Sequence, residues 1–310
     1  MTSPQAETVL VTGALGFIGR HVTRHFRARG CCVIGAGHGS LSSAEISEIG
    51  FYRWKSCEIL QEHLQDLSEP IDLIVHCAGS GLVGTSFADP EAEFRNSLGA
   101  AIGVLEFARK QAPTARIAML SSAAVYGNAA SLPINERTPL NPISPYGKSR
   151  LAIEQHCLRY AREHGLRIAI IRLFSVYGRG LRKQLFWDAC QKFARGDGRF
   201  DGTGNECRDW LHIDDAVRLI EIATGHASAT VPIVNGGSGV SVKIRDALML
   251  LRDAWPAAAP EITFSGVARA GDPRGYQADI SSAQAFGWRP ERALDGGLAD
   301  YVRWAYGCFA

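Results

Sequence analysis

Long apolar runs are missing from this chain of 310 residues: none reaches the roughly 18 consecutive apolar residues that a spanning helix requires. The N-terminus carries no basic segment leading into an apolar core, so no secretory leader is expected. A surplus of one charge is missing too. Thirty-three Lys and Arg against 31 Asp and Glu leave a net +2, scattered rather than striped, which gives no electrostatic reason to expect nucleic acid or an anionic membrane as partner. Any anionic ligand must therefore be met by a few placed arginines. Eight cysteines are present, but none form a Cys-x-x-Cys pair or a His/Cys cluster at ligand spacing. No metal site is expected, and the thiols read as free cysteines of a reducing, cytoplasmic compartment. Internal repeats and low-complexity linkers are also absent, so a second lobe should be interleaved with the first rather than strung after it.

What is present is an alternation. Short β-rich runs at Thr8–Val11, Cys32–Ala36, Phe51–Trp54, Leu73–Cys77, Arg116–Ser121 and Arg167–Leu173 are separated by helical patterns over Gly16–Arg29, Ala92–Lys110 and Tyr146–His164. That is the pattern of βαβ units. It predicts an α/β protein with a Rossmann-type, doubly wound parallel sheet and a smaller interleaved C-terminal lobe that binds substrate. The dinucleotide-binding domain is expected over residues 1–174 plus about 213–236, and the second lobe over 175–212 and 237–310. Beyond Arg172 a glycine-rich stretch intervenes, then Trp210–Ile222 reads as helix, Val231–Val234 as strand and Ser241–Ala254 as amphipathic helix. The long patterns Ala92–Lys110 and Tyr146–His164 suggest a helix-pair face for a homodimer.

Three stretches carry chemistry. Gly13, Gly16 and Gly19, with Phe17 and Ile18 between them, follow the first strand and open the first helix. Glycines there let the backbone turn tightly and approach a pyrophosphate, whose charge the helix N-terminus favours. At the end of the second strand, where an acidic residue would select NAD, stands Gly37, followed by His38, with no carboxylate near; the cofactor is expected to be NAD or NADP, not separable by sequence. His76 to Gly79, including Ala78, closes the fourth strand, and Ser122 follows the fifth, both at carboxyl ends that face a ligand crevice. Tyr146 and Arg150, four residues apart at the start of a helix, share one face, whereas Lys148 points roughly the opposite way. A cation held there favours the phenolate, which suits Tyr146 to exchange protons.

In this order, Thr12-Gly-x-x-Gly-Phe-Ile-Gly19, His76-x-Ala-Gly79, Ser122-x-x-Val-Tyr-Gly127, the Tyr146 helix, Arg208-Asp-Trp-Leu-His-Ile-Asp-Asp215 and the closing Ala278 to Pro290 segment cover almost the whole chain. Together they resemble an extended short-chain dehydrogenase/reductase of the NAD-dependent epimerase/dehydratase group, which acts on nucleotide sugars. The resemblance implies that Ser122 polarises the sugar C4 oxygen and Tyr146 exchanges its proton as hydride moves. It also implies that Arg150 stands where the group has lysine, binding the nicotinamide ribose. Arg208 and Arg269 would meet the diphosphate of a nucleotide-diphosphate sugar, Ser175 would touch the substrate where the group has asparagine, and Glu58 would lie near the adenine in place of an aspartate.

The group's dehydratases carry an acid pair after the hydroxyl residue, and its decarboxylases keep a glutamate at the second of those positions. Here both are alanine, Ala123 and Ala124. Without carboxylates neither elimination nor decarboxylation has its acid/base group, which leaves 4-epimerisation or 4-keto reduction. A non-catalytic dinucleotide sensor with the same fold is the rival expectation, and Arg150 is its support.

Overall fold

The computed structural model describes residues 6–81, 83–267, 273 and 275–309, which fall into two compact units. The first comprises the chain up to Val125, Ser144–Arg172 and Val217–Val234; the second comprises Tyr126–Ile143, Leu173–Ala216 and the chain from Asn235.

Seven strands form the sheet of the first unit: β1 (Thr8–Thr12), β2 (Cys32–Gly37), β3 (Arg53–Ser56), β4 (Leu73–His76), β5 (Arg116–Ser122), β6 (Arg167–Leu173) and β10 (Ile233–Gly236). Their spatial order is β10-β6-β5-β4-β1-β2-β3, and the pairings from β3 across to β5 are parallel. Strand order reverses beside β1, which makes the carboxyl ends of β1 and β4 the switch point where such sheets bind ligands. Register aligns Ala36, Thr12, His76 and Met119 across four adjacent strands. The residues just beyond that row are therefore the ones presented to a ligand.

Helices α1 (Phe17–Ala28), α2 (Ser43–Ile49), α3 (Gln61–Leu64), α4 (Val83–Ala88), α5 (Pro90–Gln111) and α6 (Pro145–His164) belong to the same unit. On α5 the buried positions Ala101, Val104, Leu105 and Ala108 follow helical spacing, and on α6 Ile153, Cys157 and Ala161 do the same. These stripes join one core with Leu10, Ile34, Ile74, Ile117 and Ile170 of the strands. Each large aliphatic side chain removed from water there contributes about 1.5–3 kcal/mol. Both long helices start for a visible reason. Asp89 accepts from the amide of Ala92 (2.9 Å) ahead of Pro90, and Ser144 accepts from the amide of Gly147 (3.1 Å) ahead of Pro145. Gly165, in the left-handed region at φ 69°, stops α6.

In the second unit, β11 (Ser241–Lys243), β9 (Cys207–His212) and β7 (Ser175–Tyr177) form a mixed three-stranded sheet, and β12 (Thr263–Phe264) pairs with β8 (Arg199–Phe200). Helices α7 (Gln184–Ala194), α9 (Ile244–Asp253), α10 (Ser281–Ala285) and α11 (Leu294–Tyr306) complete it, while α8 (Ile213–Gly225) continues along the chain into residues of the first unit. The fold is thus α/β, a Rossmann-type sheet with a smaller C-terminal mixed sheet.

Two expected helices start late. Trp210–His212 belong to β9 and Ser241–Lys243 to β11, so the helices there begin at Ile213 and Ile244. Strand-pairing with β7 and with each other decides both segments, a tertiary effect that local periodicity does not carry. Among the described residues no helix is long and apolar enough to cross a membrane.

Candidate active site

The turn after β1 is built for close backbone approach. Gly13 has φ 65°, its amide donates to the Ala36 carbonyl (2.8 Å), and a Cβ there would lie 2.7 Å from the Ala78 backbone. A Cβ on Gly19 would lie 2.3 Å from the Gly13 carbonyl oxygen, so only glycine lets α1 pack onto the turn. Gly16 caps α1 without a side-chain hydrogen bond, and the first turn holds no acidic residue. The first-turn amides and the helix dipole are left for an anion, and these residues fit the pyrophosphate of a dinucleotide. Phe17 and Ile18 are half-buried in the first turn; Phe17 meets His21 edge to face (5.4 Å).

His38 lies exposed just after β2, and Glu58 is exposed two residues past β3, its carbonyl accepting from the His63 ring (3.2 Å). Ala78 is half-buried against Gly13, at the end of β4. His76 is fully buried. Its Nδ1 shares a hydrogen bond with the Thr12 hydroxyl (2.8 Å), and its Nε2 has no partner. Burial first, and the Arg150 charge second, push this imidazole from 6.5 down to about 3, so it is neutral.

Arg150 is 5% exposed. Its guanidinium donates to the carbonyls of Ser80 (2.6 Å) and Leu120 (3.3 Å), and its carbon stands 5.0 Å from the centre of the Tyr146 ring. Only the buried Nε lacks a partner. The cation is thus fixed over the face of the phenol by two backbone acceptors, Ser80 in the loop after β4 and Leu120 within strand β5. Tyr146 is half-buried, and its amide donates to the Ser86 hydroxyl (3.2 Å), which in turn donates to Val83 (2.6 Å). Lys148 is exposed on the other side of α6. Ser122, the last residue of β5, is half-buried and accepts from the amide of Ala124 (3.2 Å) as the chain turns into a 3-10 segment, Ala123–Val125. The structure brings Ser122, Tyr146 and Arg150 to the same end of the first unit, because Arg150 is bonded to the strand that ends in Ser122.

A second constraint was not read in the sequence. Glu154, one further turn along α6, is 2% exposed and receives both Arg172 of β6 (3.0 and 2.8 Å) and the Ser121 hydroxyl of β5 (2.5 Å). The signal was there: Tyr146, Arg150 and Glu154 fall at i, i+4 and i+8, one helical face.

The second unit holds Ser175, half-buried on β7, and Arg208, 9% exposed on β9. Arg208 donates to the carbonyls of Cys207 and Pro273 (both 2.9 Å) and lies 5.8 Å from the Tyr276 ring centre. Beside it, the buried Asp209 accepts from the amides of Ser238, Gly239 and Ala278, which fixes the strand that carries Arg208. Arg269 lies outside the described residues.

A glycine turn between β1 and α1, at the switch point of a parallel sheet, defines a dinucleotide-binding α/β protein. The chain belongs to the NAD dependent epimerase/dehydratase family, whose pattern matches residues 9–237. It is 28% identical to a putative UDP-glucose 4-epimerase of Methanocaldococcus jannaschii, over 96% of this chain and 97% of that one. Two solved structures share the fold. A UDP-glucose 4-epimerase from Thermotoga maritima, determined with UDP-glucose, superposes with a TM-score of 0.88 at 23% identity, covering 98% of this chain and 100% of that one. A dTDP-glucose 4,6-dehydratase from Streptomyces venezuelae, determined with NAD, gives a TM-score of 0.86 at 25% identity, covering 97% of both chains.

Proposed function

We propose that this protein is a nucleotide-sugar 4-epimerase, moving hydride at C4 of a nucleotide-diphosphate hexose. The observation that carries this reading is the guanidinium of Arg150 held over the Tyr146 ring on the helix that Arg150 ties to the strand ending in Ser122. In this reading Tyr146 takes the proton of the C4 hydroxyl and returns it, and Ser122 donates a hydrogen bond to the same oxygen. Arg150 holds its guanidinium over the Tyr146 ring while the proton moves, anchored by the carbonyls of Ser80 and Leu120. A bound nicotinamide would supply the acceptor and donor for the C4 hydride. The first unit binds the dinucleotide through Gly13, Gly16, Phe17, Ile18, Gly19, Ala78 and the residues around His38 and Glu58. Ser175, Arg208 and Arg269 receive the sugar nucleotide, and α5 with α6 forms the face for a second copy of the chain, where Phe94 and Leu158 are 43% and 44% exposed.

Although a dehydratase shares the fold, the residues after Ser122 speak against elimination of water across C5 and C6 in this reading. Ala123 is buried and Ala124 half-buried directly after Ser122, and neither position supplies a carboxylate. Support for 4-epimerisation over one-way reduction comes from the full-length relative described above. The test is incubation of the purified protein with UDP-glucose, UDP-glucuronate and UDP-N-acetylglucosamine, with and without added NAD or NADP, followed by chromatography of the sugar nucleotides. A C4 epimer formed by the parent and lost in Tyr146→Phe supports the reading. No epimer from any of the three sinks it, and a 4-keto product that accumulates points to dehydratase or dehydrogenase chemistry instead.

A further inference from the structure

From Gly13 to Ala44 the chain has no carboxylate, while four arginines and three histidines occupy the same stretch. His25 and Arg29, at the C-terminal end of α1, are taken up by Glu221. The end of β2 is the part that meets the adenosine ribose in a dinucleotide fold, where an acidic residue binds the 2′-hydroxyl and an arginine accommodates a 2′-phosphate. The structure gives the segment a definite shape. Gly37 ends β2 beside the glycine turn: a Cβ there would lie 3.7 Å from the Cα of Gly13. The loop that follows is braced from two sides. The Trp54 indole donates to the Gly39 carbonyl (2.9 Å), and a Cδ of Leu15 lies 3.6 Å from where a Gly39 Cβ would stand.

Arg20 completes the arrangement. Its Nε donates to the carbonyl of that same Leu15 (2.8 Å), the residue whose side chain braces the loop. The side chain is exposed, and among the described residues it makes no ion pair. His38 and Ser40 are exposed in the loop after β2. A guanidinium anchored through Nε presents its two terminal nitrogens as a fork, the geometry suited to a phosphate.

We infer that this chain prefers the 2′-phosphorylated dinucleotide, NADP(H), to NAD(H), with Arg20 as the principal phosphate ligand and His38 and Ser40 as additional donors. The NAD in the Streptomyces structure belongs to that protein. The inference rests on the dinucleotide site alone and not on the C4 chemistry, so the two fail independently.

Calorimetric titration with NADP⁺ and NAD⁺ tests it without any sugar substrate, and adenosine 2′,5′-bisphosphate against 5′-AMP isolates the extra phosphate. NADP⁺ should bind about tenfold or more tighter than NAD⁺, since a charge-assisted pair is gained and no carboxylate repels it. Arg20→Ala should erase most of that difference while leaving NAD⁺ affinity within about twofold, and His38→Asp should reverse the order. If dinucleotide co-purifies, mass spectrometry of the denatured protein should find NADP. Equal or tighter binding of NAD⁺, no binding of either, released NAD, or an Arg20→Ala variant that weakens both dinucleotides alike overturns the inference.

Discussion

Arg150 does not reach toward the hydroxyl of Tyr146 but lies over its ring, guanidinium carbon 5.0 Å from the ring centre, with two nitrogens spent on the carbonyls of Ser80 and Leu120. A cation over the face of an aromatic ring contributes about 2 kcal/mol when desolvated. It also places the guanidinium over the ring rather than at the phenol oxygen, which is left for substrate. Arg150→Lys keeps the charge on a point donor and gives up at least one carbonyl bond. The expected result is turnover within about tenfold of the parent and a loss of stability of about 1–2 kcal/mol. Arg150→Met removes the charge and should lower turnover by about a hundredfold or more. Epimerisation rates and urea melts of the two variants check this, and an inactive lysine variant would show that the planar fork itself is required.

The pair Glu154 and Arg172 is too deeply buried to be explained by stability, because desolvation offsets most of the attraction between such charges. Removing one partner is another matter. Glu154→Ala leaves the Arg172 guanidinium buried without its carboxylate and should cost about 3–5 kcal/mol in urea unfolding. Ser121→Ala breaks only the hydroxyl bond and leaves the ion pair, so about 1 kcal/mol is expected. If both variants melt alike, the carboxylate is not the group that joins β5, β6 and α6.

β1, β2, β4, β5 and β6 were legible as short β-rich runs, and Tyr146 with Arg150 as a helical spacing. By contrast, β3 (Arg53–Ser56) and β10 (Ile233–Gly236) lie two residues beyond the expected Phe51–Trp54 and Val231–Val234, because pairing with a neighbouring strand sets them. What the sequence hid was where Arg150 points. Spacing puts it on the face of Tyr146, but only the fold supplies the carbonyls of Ser80 and Leu120, which lie 70 and 30 residues away. Glu154 was missed for the same reason: its partners come from β5 and β6. Trp210 was misread because a strand pairing won over a helical pattern running into α8.

Gly13 separates a structural turn from a binding turn. Its left-handed φ disfavours any side chain by about 1 kcal/mol, and a Cβ at 2.7 Å from the Ala78 backbone adds a clash that rigid main chain cannot relieve. Gly13→Ala should therefore lower both the unfolding midpoint and dinucleotide affinity. Gly30, with φ 81° and open space around its Cβ position, is the control. Gly30→Ala should cost about 1 kcal/mol of stability and leave dinucleotide binding unchanged. Paired thermal melts and dinucleotide titrations distinguish the two, and equal binding losses would remove the turn from the site.

His76 makes the pH dependence of stability specific. Its imidazole titrates near 6.5 when unfolded and is pushed down to about 3 when folded, so the folded state keeps it neutral where the unfolded chain takes up a proton. The sign follows: a depressed value means that the contribution is complete above 6.5 and is lost as pH falls from there toward 3. Between about pH 7 and about pH 5 the loss from this one group comes to about 2 kcal/mol. His212 and His156 are also lowered, chiefly by burial, and add in the same direction. Glu106, held down to about 2 by Arg109, acts only in more acidic solution. His76→Asn keeps a polar atom near the Thr12 hydroxyl but cannot take up the proton. The variant should be less stable than the parent near pH 7, yet lose about 2 kcal/mol less on going to pH 5. Urea unfolding at both pH values measures the two slopes, and parallel losses in parent and variant would mean that His76 is not the group being titrated.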